Sequence, residues 1–135
     1  MPSKIFVNLP VKNLDKSKEF FGKLGYSFNA QFTDENAASM VISDDIYAML
    51  LTEPFFKTFT NKEIVDARKS TEVLIALSAD SKAEVDALVG KAITAGAKEP
   101  RDPQDLGFMY GRAFEDPDGH IWEIMWMDPK TIDPT

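Results

Sequence analysis

The chain has 135 residues, 44% of them apolar and 27% charged, which suits one folded domain with its own core and excludes a low-complexity chain. It has no cysteine, so disulfides and thiolate metal sites are excluded, and a reducing, cytoplasmic setting is expected. The net charge of −7 and the scattered Lys and Arg oppose nucleic acid and anionic lipid, and no apolar run has the length of a membrane span or the layout of a signal peptide.

Residues 5–11, Ile-Phe-Val-Asn-Leu-Pro-Val, read as a strand whose Pro10 must lie at an end or an edge. Asn13 offers an N-cap, Leu14, Phe20, Phe21 and Leu24 follow at helical spacing, and Gly25 supplies the stop. Strands are expected over residues 26–32, 37–42 and 46–51, with turns at Asp34-Glu35-Asn36 and Ser43-Asp44-Asp45. Residues 53–69 read as a loop with at least one helical turn, whose Phe55, Phe56 and Phe59 form either a flap or a packed connector.

The same grammar then repeats. Residues 73–77 read as a strand, Ser81 and Glu84 as a capping box, and Val85, Leu88, Val89, Ala92 and Ile93 as one helical face closed by Gly96. A short strand is expected near residues 97–99, then a Pro-rich loop from Pro100 to Gly107. A strand over 108–114, a turn at Asp116-Pro-Asp-Gly119 and a last strand over 120–127 follow. The order is βαβββ twice. Phe6 precedes the cap Asn13 by the same interval as Leu74 precedes Ser81, and Asp45-Ile-Tyr-Ala-Met49 answers His120-Ile-Trp-Glu-Ile124.

Several polar residues fall among apolar ones. Alternation puts Glu123 with Ile121 and Met125, and a carboxylate there costs free energy unless it is paired. It reads either as a ligand-orienting acid/base group or as a structural carboxylate paired with an Arg, Asn or Tyr. Asn8 is either a ligand contact or a satisfied core amide. Tyr110 and Arg112 share the Phe114 face and either read a ligand or, for Arg112, neutralise Glu123 or Glu115. His120, the single histidine, reads as the start of the last strand after a turn, not as a metal ligand.

The doubled order resembles the vicinal oxygen chelate superfamily, which holds glyoxalases, bleomycin-binding proteins, fosfomycin-resistance enzymes and extradiol dioxygenases. The segments that carry the resemblance run from Phe6 to Phe21 and from Glu115 to Glu123. Within the superfamily the chain looks most like the group labelled predicted lactoylglutathione lyases, whose ending resembles Tyr110-Gly-Arg112 through Met125-Trp-Met-Asp-Pro129. The resemblance implies one α+β domain over residues 1–135, with two tandem βαβββ modules forming a cupped, mostly antiparallel sheet cavity. The modules fall at about 1–53 and 71–128 with a connector at 54–70. It also implies a homodimer.

Relatives with a metal place four ligands on the first and last strands of each half. Carried over, those positions are Phe6, Ala48 or Leu50, Leu74 and Glu123. One carboxylate cannot hold a divalent ion, which needs about three protein ligands, so no metal and no cofactor is expected. The expected activity is small-molecule binding by a cavity lined by Phe6, Asn8, Ala48, Leu50, Leu74, Ala76, Glu123 and Met125, with Tyr110 and Arg112 at its mouth. The alternative is a lyase or isomerase of lactoylglutathione lyase type that uses Glu123 as its catalytic base and depends on a metal only through ligands recruited elsewhere.

Overall fold

A computed structural model describes residues 3–131. The chain divides between Val65 and Asp66 into two compact units. The first carries β1 (Ile5–Val11), α1 (Leu14–Lys23), β2 (Ser27–Phe28), β3 (Ala37–Val41), β4 (Ile46–Thr52) and a one-turn helix, α2 (Glu53–Phe56). Its sheet runs β1-β4-β3-β2, with β1 parallel to β4 and the other pairs antiparallel. Asn13 starts α1 by accepting the Lys16 N–H at 3.1 Å, and Gly25, at φ +104°, takes the left-handed stop.

The strand expected over 26–32 shrinks to Ser27–Phe28. Asn29 ends it by accepting the Gln31 N–H at 2.9 Å, which starts a 3₁₀ turn over Ala30–Phe32. Local side-chain bonding of this kind competes with sheet pairing.

The second unit carries β5 (Leu74–Ser78), α3 (Lys82–Thr94), β6 (Gln104–Asp105), β7 (Met109–Glu115) and β8 (Ile121–Met127). Its sheet repeats the first, β5-β8-β7-β6, with β5 parallel to β8. Ser81 accepts the Glu84 N–H at 3.0 Å as expected. The return half of the capping box slips by one residue: Glu84 accepts from Asp80 N–H, also at 3.0 Å. The strand expected at 97–99 is a single bridge from Lys98 to Glu115, and the fourth strand is formed instead by Gln104–Asp105 in the Pro-rich loop.

Each sheet has one face under its helix. In the first unit Val7 and Leu9 pair with Ala48 and Leu50, and Met40 and Ala38 continue those rows. Leu9, Ala38, Met40, Ala48 and Leu50 are buried with Phe20 and Phe21 of α1. In the second, Phe114, Trp122 and Ile124 are buried with Val85, Val89 and Ala92 of α3. Each large side chain so buried contributes roughly 1.5–3 kcal/mol, which is why alternation in the strands fixes which face meets the helix.

Candidate functional site

Alternation also decides what lies on the other face. In the second unit Leu74 pairs with Ile121, Ala76 with Glu123 and Ser78 with Met125; across β8, Ala113 pairs with Glu123 and Gly111 with Met125. Paired residues share a face. Glu123 therefore stands on a floor of Leu74, Ala76, Ile121, Met125 and Ala113, on the side of the sheet away from α3. Its carboxylate forms an ion pair with Arg101, Nη2 to Oε2. The Glu123 side chain is 17% exposed and that of Arg101 45%. A half-buried carboxylate on an apolar floor requires such a partner.

Arg101 lies in the loop before β6, a stretch the sequence shows only as Pro100-Arg-Asp-Pro103. No periodicity places such a loop, so the residue is not singled out from sequence. The one signal for it is the requirement that Glu123 be paired.

Tyr110 and Arg112 are not at this site. Arg112 pairs with Ile124 and Tyr110 with Trp126, so both point to the α3 side, opposite Glu123. Arg112 donates to both oxygens of Glu99 and to Asp86 of α3, and the Tyr110 hydroxyl donates to Asp86 at 2.6 Å. The Tyr110 hydroxyl, then Arg112, hold the Asp86 carboxyl below the usual carboxylate range. Asp86 in turn pushes the Tyr110 phenol up. These groups form a network between helix and sheet.

In the first unit Phe6 pairs with Tyr47 and Asn8 with Met49, on the face opposite α1. The Phe6 and Tyr47 rings stack at 5.0 Å and 10°, and Phe6 is 52% exposed. The Tyr47 hydroxyl donates to Asp44 O at 2.9 Å, and the Lys4 ammonium sits 5.4 Å from its ring centroid. Asn8 donates to Phe6 O at 3.3 Å and is exposed, so it is no core amide.

Ala48 and Leu50 correct the sequence expectation. Both are 0% exposed in the core on the α1 side, not beside Phe6 and Asn8. The ladder gives the reason. Glu123 faces Ala76, two residues beyond Leu74; two residues beyond Phe6 is Asn8, which faces Met49. The fourth-strand counterpart of Glu123 is thus Met49. A one-residue difference in register turns a strand residue to the other face.

The turn at residues 116–120 is structural. Asp116 is buried and accepts from Asp118 N–H and His120 N–H through one oxygen and from the Trp122 indole N–H through the other, at 2.9, 3.0 and 3.1 Å. Burial pushes its carboxyl up. Gly119, at φ +93°, packs its Cα so close to Ala67 that an added Cβ would stand 3.0 Å from that backbone. Arg68 Nη2 donates to Pro117 O and ties the same connector to the turn.

The positions that the sequence resemblance assigns to metal ligands do not fit a divalent ion. Phe6, Met49, Leu74 and Glu123 offer one carboxylate, which Arg101 already engages. Among the described residues no group of three His, Cys, Asp or Glu could hold an ion.

Residues 4–43 match the family described as "Bleomycin resistance protein-like N-terminal". Among curated proteins no match was found. Among solved structures, a hypothetical protein from S. aureus is 28% identical with a TM-score of 0.78, covering 93% of this chain and 95% of its own. A glyoxalase-related enzyme from Fulvimarina pelagi is 19% identical with a TM-score of 0.78, covering 93% and 88%. An antibiotic binding protein from a Streptomyces species is 17% identical with a TM-score of 0.67, covering 94% and 97%. The fold is thus the α+β glyoxalase-like fold, with two four-stranded mixed sheets. Among the described residues, no helix is long and apolar enough to cross a membrane.

Proposed function

We propose that this chain is a small-molecule-binding protein of the glyoxalase, bleomycin resistance and dioxygenase kind, and that it binds its ligand without a metal. One observation carries the reading: the Arg101–Glu123 pair stands on an otherwise apolar sheet face, the one turned away from helix α3. An apolar floor with a few fixed polar groups is the usual makeup of a ligand site. The ligand has an apolar or aromatic body resting on Leu74, Ala76, Ile121 and Met125, and one polar group that meets the ion pair. The antibiotic-binding structural neighbour is compatible with this use of the fold.

A lyase or isomerase that uses Glu123 as its base has less support. Proton abstraction beside a carbonyl needs a group that stabilises the developing oxyanion. Tyr110 and Arg112, the sequence candidates, lie on the opposite side of the sheet and are bonded to Asp86 and Glu99.

Titration with the neutral fluorescent dye phenylnaphthylamine tests the reading. The expected result is saturable binding at one site, weakened by Met125→Lys on the floor. Absence of saturable binding, or binding indifferent to that substitution, overturns it.

A further inference from the structure

We propose that Arg101 selects the ligand, and that it selects an oxyanion: a carboxylate, phosphonate or sulfonate carried on an apolar or planar body. This deepens the small-molecule reading and rests on it.

A guanidinium presents five N–H donors in a planar fork. In this structure one of them meets Glu123. The Arg101 side chain is also the more exposed partner, at 45% against 17% for that of Glu123. A ligand settling on the floor of Leu74, Ala76 and Met125 therefore meets Arg101 before Glu123.

The two possible charged ligands are not equivalent. A cation would meet a Glu123 carboxylate whose Oε2 is already engaged, and would have to settle beside the like-charged and more exposed Arg101 side chain. An oxyanion accepts from the donors that the pair leaves over, and breaks nothing. The remaining fork matches the two-oxygen geometry of carboxylates and phosphonates. The net charge of −7 opposes an anion at long range. Charges beyond about 8 Å are largely screened at physiological ionic strength, so the contact with the guanidinium decides.

Glu123 is then a positioning residue. It fixes the plane of the guanidinium, while Pro100 and Pro103 restrict the backbone on either side of Arg101.

The test compares two dyes with the same ring system: anilinonaphthalene sulfonate, which is anionic, and phenylnaphthylamine, which is neutral. The readout is the ratio of their affinities in the full chain. In Arg101→Met, and in Arg101→Gln as a second variant, the ratio of sulfonate to neutral affinity should fall on the order of tenfold or more, the size of a lost charge-assisted hydrogen bond. Lys62→Met, which removes an exposed cation on the connector, should leave the ratio as it was. In the unaltered protein, the Arg101 Nε–Hε resonance should move with the sulfonate and not with the neutral dye.

If both dyes bind and the Arg101 variants keep the wild-type ratio, or if Lys62→Met lowers it equally, oxyanion selection by Arg101 is wrong while small-molecule binding stands. If neither dye binds, the small-molecule reading fails and this inference fails with it.

Discussion

Arg112 donates from Nε and Nη2 to the two carboxylate oxygens of Glu99, each at 2.9 Å, in the two-pronged geometry that a guanidinium and a carboxylate share. This pair joins β7 to the segment after α3 with both side chains mostly out of water. Arg112→Met strips the fork and takes from Glu99 the guanidinium that engages both its oxygens. Urea unfolding should show a loss on the order of 2 kcal/mol, since hydrogen bonds to charged groups are worth more than neutral ones. A midpoint within error of wild type would show that the Arg112–Glu99 pair does not stabilise the fold.

The neighbouring Asp86–Tyr110 bond predicts a two-limbed pH profile. The Asp86 carboxyl is held below its ordinary value, so its contribution is complete above about pH 4 and fades as pH falls through the lowered folded value. Tyr110 is raised, so its contribution is complete below about pH 10 and fades as pH rises through the raised folded value. Tyr110→Phe should therefore shrink the acid limb and abolish its share of the alkaline one. Melting temperatures by circular dichroism across pH check this; superimposable profiles for the two proteins would count against the bond.

The two faces of β4 can be told apart by volume. Ala48 is closed in under α1, whereas Met49 lies on the opposite face. Ala48→Leu overfills a packed core, and overpacking costs typically about 1–3 kcal/mol. Met49→Leu conserves volume and should cost less than about 1.5 kcal/mol. Equal costs in thermal unfolding would mean that the face assignment is reversed.

Gly119 offers a check on the clasp between connector and turn. Its φ of +93° is strained for any residue with a Cβ, and a methyl group would crowd the Ala67 backbone at 3.0 Å. Gly119→Ala should destabilise by roughly 1–2 kcal/mol from the left-handed backbone alone, with more from the contact. It should also raise protease cleavage in residues 66–70, which the turn holds. Unchanged proteolysis together with unchanged stability would show that the clasp is not needed.

How much of this was legible beforehand follows from the range of each interaction. Asn13, Gly25, Ser81 and Gly96 marked the helix ends because caps act within a few residues of themselves. The doubled βαβββ order followed from periodicity, which is also local. That Glu123 shares its face with Ile121 and Met125 needed only alternation along one strand. Ala48 and Leu50 were misplaced because alternation says which residues share a face, not which face meets the helix; the β1–β4 register decides that. For Tyr110 and Arg112 the sequence leaves ligand contact and structural pairing open, because it shows two polar residues on a strand without showing Asp86 and Glu99 beside them.

By itself the sequence determined the two capped helices, the longer strands in their doubled order, the lack of thiol chemistry and a lone carboxylate, Glu123, among apolar neighbours on the last strand. These are properties of residue types and short spacings. Only the tertiary structure decided the partners. It gave Glu123 to Arg101 and Arg112 to Glu99, on opposite sides of one sheet, because strand register and loop course bring together residues that no local rule connects.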